Sequence, residues 1–255
     1  SKEEFYFLFS DNHIHINQHS PFDNILAMAS PLNRRLHRLK IQVTQIFILV
    51  FGISCLPARH GCLVFGEYAK TPHYIRVAII QDAGSLNLKV NGFYEIIDAE
   101  KQKVLYQSRS LKTTVTVYKS GILIGGKDFN TNKLLIKVKD SQGNVSLDGR
   151  RFRGDIHFIK KDNSRLSAIN YIDLEDYIKG ILYHEASHYW PEEALKAQAI
   201  VCRTYAVYQM QENAFKDYDV TSDIYSQVYG GRTSERYRTN KAVDETRGKI
   251  LTYQD

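Results

Sequence analysis

A carboxyl group next to a sharp corner is the feature of this sequence best suited to chemistry. Glu185 precedes the short segment His188–Trp190, and Pro191 follows that segment. Proline cannot sit inside a helix but is favoured in a first helical turn. The spacing therefore predicts two helices, 173–187 and 191–212, which are joined by a tight corner.

Two cations accompany this carboxyl group. Lys196 and Arg203 stand seven residues apart in the second helix, so they lie on one stripe of its surface. That stripe should run toward Glu185, which indicates a site for an anionic substrate. The stripe borders a face of small and apolar residues with helical spacing, which predicts burial. This face comprises Leu195, Ala199, Cys202 and Ala206.

The same stretch also contains a metallopeptidase-like pattern. His184, Glu185 and His188 are spaced as H-E-x-x-H, which on a helix gives two zinc ligands and a general base. Pro191 ends that helix early, however, and no third ligand is evident. A pattern of five symbols also arises readily by chance, so we expect no metal and no cofactor.

A longer motif covers about eighty residues and resembles the stage II sporulation protein D family, also called the SpoIID/LytB domain. The matching residues are Leu174-Glu175-Asp176-Tyr177, Gly180, Glu185, Trp190-Pro191, Glu193–Ala199, Arg203–Ala206, Gln227-Val228-Tyr229, Ala242-Val243 and Thr246-Arg247-Gly248. Many ordered identities outweigh the short zinc pattern.

The resemblance implies that Glu185 is the acid of a lytic transglycosylase, which cleaves the bond from N-acetylmuramic acid to N-acetylglucosamine. One carboxyl group can serve both halves of that reaction. A hydrolase using the usual route needs a second carboxylate. The nearest acids are Glu192, Glu193 and Asp176. Glu192 and Glu193 fall in a first helical turn, where acids complement the helix dipole, so we assign them to capping.

Further residues match positions that the resemblance assigns to sugar binding. Arg203 could hold the lactyl carboxylate of muramic acid with both arms of its guanidinium, or it could instead pair with an acid across the helix packing. Any of the others could equally belong to the core. The full set of predicted substrate-binding residues is Lys196, Arg203, Gln198, Tyr205, Gln227 and Tyr229.

Composition and strand patterns predict an α+β fold. The chain has 255 residues, with 43% hydrophobic and 24% charged, as globular proteins do. Its formal charge of +6 suits an anionic polymer or a membrane surface without choosing between them. Eight short runs rich in β-branched and aromatic residues predict an antiparallel β-rich part within 72–170. Tight turns are predicted at Asn91-Gly92, Gly125-Gly126, Asp140–Gly143 and Asp148-Gly149.

Residues 1–70 are interpreted as an N-terminal extension followed by a secretory leader or membrane anchor. Met28 opens a basic segment, and the apolar run 41–56 follows it. We interpret 1–27 as an extension upstream of the natural start. Residues 71–255 would form the SpoIID-like domain, with 171–255 as its helical core. By comparison with the family we expect this core to be incomplete at its C-terminal end, and the protein to be exported to the periplasm or the extracytoplasmic face of the membrane.

Three functions remain open. The first is a lytic transglycosylase acting on peptide-stripped glycan strands. The second is a non-catalytic module that binds glycan or activates an N-acetylmuramoyl-L-alanine amidase, which would then be a protein partner. The third is a zinc hydrolase. Peptidoglycan strands are the expected partner, without nucleic acid, and with membrane contact only through the N-terminal leader. The three cysteines do not suggest a disulfide framework, because Cys202 lies within an apolar helix face.

Overall fold

The computed structural model describes residues 8–9, 12–13, 62–67, 74–140 and 143–254. The chain divides into two compact units, Ser1–Gly52 and Ile53–Asp255. In the first, Leu8–Phe9 (β1) pairs antiparallel with Asn12–His13 (β2). The predicted leader lies outside the described residues. Among the helices that the structure describes, none combines the length and the apolarity that are needed to span a bilayer.

The second unit is built on an eleven-stranded sheet. The sheet strands are Tyr74–Ala83 (β4), Ser85–Asp98 (β5), Lys103–Val117 (β6), Ile122–Ile124 (β7), Lys127–Asp128 (β8), Lys133–Val138 (β9), Asn144–Leu147 (β10), Arg150–Phe152 (β11), Asp155–Lys160 (β12), Leu166–Asp173 (β13) and Val220–Thr221 (β14). Their order in the sheet is β14-β4-β13-β12-β9-β5-β6-β7-β8, and β10 joins β5 to β11. Every pairing in this sheet is antiparallel except that of β14 with β4. A separate pair joins Cys62–Glu67 (β3) to Lys249–Gln254 (β15).

One predicted turn is wrong. Asn91-Gly92 does not separate two strands but lies inside β5, where the register with β6 shifts between Asn91 and Tyr94. Gly92 has φ +98°, and the carboxylate of Asp140 accepts a hydrogen bond from the backbone N–H of Phe93. The glycine therefore makes a β-bulge rather than a hairpin. By contrast, the predicted Gly125-Gly126 and Asp148-Gly149 turns are confirmed, with positive φ at all four residues.

Three helices follow the strands. Leu174–Glu185 (α1) is capped by the Asp173 carboxylate, which accepts hydrogen bonds from the N–H groups of Glu175 and Asp176. Glu192–Glu212 (α2) begins directly after Pro191, as predicted. Helical spacing in Ser234–Arg247 also predicts a third helix. In the structure a 3-10 turn, Gly231–Ser234, precedes the shorter helix Tyr237–Glu245 (α3), and Gly248 with φ +77° ends this region.

The helices and the sheet share one apolar core. Strand residues such as Ile75, Leu134 and Phe158 are completely buried in it, together with Ile181 from α1 and Ala206 from α2. All four small and apolar residues predicted on the inner face of α2 are buried. The α+β class is therefore confirmed, with the three helices adding the elements that position the candidate site.

Candidate functional site

Glu185 lies at the last residue of α1, where the chain turns into the corner. Its side chain is half-buried, and its Oε1 accepts a hydrogen bond from the backbone N–H of Val228 at 3.3 Å. The corner is closed by a turn in which Trp190 N–H donates to the carbonyl of Ser187. The partly exposed Glu185 carboxyl group thus lies between the corner that follows α1 and the Val228 segment, which is distant in sequence.

Buried polar groups lie close to this carboxyl group. Burial raises the pKa of the Tyr177 hydroxyl and of the Cys202 thiol well above their ordinary values, and the charge of Glu185 contributes to both shifts. Tyr177 donates a hydrogen bond to Oε1 of Gln227 at 3.1 Å, and Gln227 donates to the Cys202 carbonyl. Cys202 is a free, buried, protonated thiol, which agrees with a packing role and not with a nucleophile.

The segment that supplies the Val228 N–H is held against α1 by Tyr229. The Tyr229 ring packs on Gly180, where an added Cβ would overlap the ring. The Tyr229 hydroxyl donates to Oδ1 of Asn170 on β13 at 2.8 Å, and the Gly230 N–H donates to the Gly180 carbonyl. This contact explains a motif glycine inside a helix, where glycine is otherwise unfavourable.

Arg203 does not face a substrate surface. Its side chain is 0% exposed, and its Nε and Nη2 donate to the two carboxylate oxygens of Glu175 at 2.9 and 2.7 Å. Its Nη1 donates to the carbonyl of Lys249 at 3.0 Å, and the Gly248 N–H donates to Glu175. The pairing of Arg203 with an acid across the helix packing, the alternative left open by the sequence, is the arrangement that the structure contains.

Lys196 is also engaged by protein. Its Nζ lies within 3.3 Å of carboxylate oxygens of Glu192, Glu193 and Glu245. These side-chain hydrogen bonds, that of Glu245 first, raise the pKa of the Lys196 ammonium. Lys196 therefore ties α2 to α3, and the predicted cation stripe toward Glu185 is not present as an open surface. The location of Glu192 and Glu193 in the first turn of α2 agrees with their predicted capping role.

Most of the other predicted substrate contacts are interior. Gln198, Gln227 and Tyr229 are buried, so the structure does not support direct sugar binding by them or by Arg203. Gln198 donates weakly to the Cys202 sulfur. Tyr205 is half-buried, and its hydroxyl lies 3.4 Å from the Ser226 hydroxyl. Gln227 and Tyr229 thus flank Val228 from the interior, and Tyr205, which keeps part of its surface exposed, stays a predicted substrate contact.

The H-E-x-x-H pattern does not form the arrangement that zinc binding requires. His188 lies beyond the end of α1, so the two histidines are not one turn apart on a helix. Nε2 of His184 lies 2.6 Å from the Ser234 hydroxyl, and the His188 ring makes tilted contacts with the rings of Tyr183 and Tyr189. Within the described parts of the chain, no three His, Cys, Asp or Glu residues group as metal ligands.

The structure adds exposed side chains that sequence reasoning missed. Tyr189 on the corner is 79% exposed, and Tyr225 in the segment before Val228 is 87% exposed. Arg236 and Arg238 flank the start of α3 and contact the end of α1 and the corner, respectively. The sequence holds no motif that separates these arginines from ordinary surface charges, because only the fold brings them to the corner.

Sequence comparison with known proteins identifies the family of the segment that contains this site. The model described as stage II sporulation protein, SpoIID, matches residues 162–253, which include Glu185, the corner and the Val228 segment. This part of the chain belongs to the SpoIID family. The Glu175–Arg203 pair and the Gly180–Tyr229 contact are thus the packing that joins motif residues far apart in the SpoIID sequence pattern.

Several known proteins are similar in sequence to this chain. An uncharacterized protein of Brachyspira hyodysenteriae is 34% identical over 194 residues, covering 71% of this chain and 48% of that protein. An amidase enhancer of Bacillus subtilis is 36% identical over 125 residues, 48% of this chain and 17% of the enhancer. Stage II sporulation protein D of Bacillus subtilis is 29% identical over 103 residues, 34% of this chain and 30% of that protein. The chain thus spans half or less of each of these three relatives.

Proposed function

We propose that this SpoIID-family chain acts on the bacterial cell wall as a lytic transglycosylase that cleaves peptide-stripped peptidoglycan glycan. The family match and the similarity to an amidase enhancer and a sporulation protein support a cell-wall role. The specific reaction is supported by the surroundings of Glu185. Because peptidoglycan lies outside the cytoplasmic membrane, the proposal includes export to the periplasm or the extracytoplasmic face.

One observation carries the reaction class: within the described helical core, Glu185 is the acid that lies at the corner and accepts the Val228 N–H. Six of the other acids are engaged by Arg or Lys side chains. Asp223, in the segment before Val228, accepts hydrogen bonds from the Thr221 hydroxyl and the Tyr225 N–H. Asp176 lies at the opposite end of α1, nine residues or about 13 Å along the axis from Glu185. The engaged acids are Glu175 with Arg203, Glu192 and Glu193 with Lys196, Glu235 with Arg153, Asp244 with Lys179, and Glu245 with Lys196.

A single acid suffices for an intramolecular route. The protonated Glu185 carboxyl donates its proton to the bridging oxygen, and the bond from that oxygen to C1 of the muramic acid breaks. The 6-hydroxyl oxygen of the same sugar then bonds to C1, and its proton passes to the Glu185 carboxylate. The products are a 1,6-anhydro sugar end and a new N-acetylglucosamine end. Glu185 returns to its starting state, and no water is consumed.

Exposed aromatic rings provide the complementary binding surface. Tyr189 follows Glu185 by four residues, and Tyr225 precedes Val228, the Glu185 partner, by three. Both rings are largely exposed, and both stand close in the chain to the groups that position Glu185. An amphipathic ring with a free face can stack on a sugar while its hydroxyl remains hydrated. These two residues replace Tyr229 and Gln227 as proposed glycan contacts.

The direct test is Glu185→Gln. The amide keeps the shape and the hydrogen-bond acceptor for Val228 but cannot act as an acid. We expect complete loss of anhydro ends from stripped glycan, measured by mass spectrometry, with glycan binding retained. Glu193→Gln is the matched control, because Glu193 is exposed in the first turn of α2 and should be dispensable. Retained turnover in Glu185→Gln would remove the assignment.

A second candidate is a non-catalytic module that stimulates an N-acetylmuramoyl-L-alanine amidase. The 36% identity to an amidase enhancer favours it. The two functions differ in their dependence on Glu185. Under the second, the Glu185→Gln protein would stimulate amidase release of peptides as well as the unmodified chain does, and no anhydro ends would form with either protein.

A further inference from the structure

Two arginines beside the corner are left with open donor groups. Arg236 and Arg238 are both exposed, and neither forms an ion pair with a carboxylate within the parts of the chain that the structure describes. The cations that the sequence indicated, Arg203 and Lys196, are by contrast neutralised by Glu175 and by three glutamates. The exposed guanidinium groups at the start of α3 therefore keep their charge without a carboxylate partner in the described residues.

Arg238 is fixed to the corner itself. Its Nη1 donates to the carbonyl of His188 at 2.9 Å and its Nη2 to the carbonyl of Trp190 at 3.0 Å. A guanidinium has five N–H donors, so these two bonds orient its plane and leave other donors for an anion. Because the corner follows the last residue of α1, the oriented guanidinium lies at the same end of that helix as the proposed acid.

Arg236 is held by the last turn of α1. Its guanidinium carbon lies 4.4 Å from the ring centre of Tyr183, which is two residues before Glu185 and therefore on another face of the helix. Its Nη1 donates to the carbonyls of Thr233 and Glu235. A cation stacked on an aromatic face keeps its edge available for a planar carboxylate. Both arginines are thus ordered by protein contacts that do not cancel their charge.

We propose that Arg236 and Arg238 bind lactyl carboxylates of muramic acid and so select peptide-stripped strands. This inference rests on the proposed function. In a peptide-bearing strand the lactyl group is an amide and carries no charge, whereas removal of the peptide restores a carboxylate on every second sugar. An arginine pair at the same end of α1 as the acid therefore favours the stripped polymer, a long strand with many carboxylates, by charge and by paired hydrogen bonds.

The experiment measures binding of the full chain carrying Glu185→Gln, so that no turnover occurs. The two probes are peptide-stripped peptidoglycan glycan and a chitooligosaccharide of equal length, which has the same backbone without lactyl groups. The variants are Arg236→Gln, Arg238→Gln and their combination. Arg109→Gln is the control, because Arg109 is an exposed arginine on β6. Melting temperature is recorded for each, since Arg238 also braces the corner.

We expect the double variant to lose roughly tenfold or more in affinity for stripped glycan, the scale of a charge-assisted hydrogen bond. Affinity for chitooligosaccharide should stay unchanged, and the salt dependence of stripped-glycan binding should weaken. Arg236→Gln, which leaves the corner intact, should show part of this selective loss.

An equal loss on both probes, or no loss on either, overturns the proposal. If the parent protein binds neither glycan, the proposed function fails as well. Intact binding in the arginine variants removes only the arginine assignment.

Discussion

Arg203 of α2 and Glu175 of α1 form a bidentate ion pair that is sealed from solvent at the junction of the three helices. The two side chains are 0% and 1% exposed, and 28 residues separate them in the chain. The Arg203 guanidinium also donates hydrogen bonds to the carbonyls of Val243 and Lys249, and the Glu175 carboxylate accepts one from the N–H of Gly248. The pair thus fixes the end of α3 and the start of β15 against both other helices.

Arg203→Ala should therefore act on stability. Removing the guanidinium leaves the Glu175 carboxylate buried without its partner, which typically costs about 3–5 kcal/mol. We expect a large fall in melting temperature, and unchanged glycan affinity in the fraction that remains folded. Thermal unfolding and binding measured on the same samples separate these two effects.

The double variant Glu175→Met/Arg203→Met is the control for this cost. Replacing both charges by apolar side chains of similar length removes the unpaired carboxylate, so much of the stability should return. A normal melting temperature combined with weakened glycan binding in Arg203→Ala would contradict the packing role.

Gly180→Ala should disturb the site through Tyr229. In an exposed helix this change stabilises by about 1 kcal/mol, because alanine has the higher helix propensity. Here the new methyl group overlaps the buried Tyr229 ring, so we expect destabilisation of about 1–3 kcal/mol from overpacking. The displaced segment would also move the Val228 N–H away from Glu185. A melting temperature that rises would contradict this contact.

His157 should make stability depend on pH. Burial, with a smaller contribution from the charge of Lys133, lowers the pKa of His157 to about 4, against 6.5 for the unfolded chain. Between these values the unfolded state binds a proton that the folded state excludes. The free energy of unfolding should thus fall by about 3 kcal/mol as pH drops from 6.5 to 4.

His157→Phe tests this pH dependence. A phenyl ring preserves the stacking on Tyr171, whose ring centre lies 3.8 Å from that of His157, but it cannot titrate. Urea unfolding at several pH values should show a smaller decline for the variant than for the parent protein. An identical decline in both would assign the pH dependence to other groups.

Lys196→Met should leave glycan binding nearly unchanged. Three carboxylates already surround the ammonium group, so it presents little net charge to a ligand. Isothermal titration with stripped glycan should give affinities within about twofold of the parent, since exposed ion pairs contribute modestly to the energetics. A tenfold loss would restore Lys196 as a substrate contact.

Local chain chemistry made part of this structure predictable. Pro191 and Gly248 mark boundaries by their backbone restrictions, and the helix periodicity of α2 identifies its buried face correctly. The sequence predicts two short strands in place of β5, because Asn91-Gly92 has the chemistry of a turn. The same glycine conformation also suits a bulge, and only the carboxylate of Asp140 and the partner strand decide between them.

The site was harder to predict because burial depends on what covers a helix face. Seven-residue spacing placed Lys196 and Arg203 on one stripe, but it could not show that α3 and β15 would pack over it. Arg236 and Arg238 are the opposite case, because the sequence does not distinguish them from ordinary surface charges. Only the fold places them against the corner and the end of α1. Glu185 was indicated because an acid, a corner and a family motif coincide.

The central claim is that Glu185 drives an intramolecular cleavage without water, and isotope labelling tests it most directly. Stripped glycan is digested by the full chain in water enriched in oxygen-18, and the new ends are analysed by mass spectrometry. The account predicts one 1,6-anhydro end for each new N-acetylglucosamine end, with no oxygen-18 in either, and no products from Glu185→Gln. New reducing muramic acid ends, equal in number to the new N-acetylglucosamine ends and absent from a sample without protein, would demonstrate hydrolysis and contradict this mechanism.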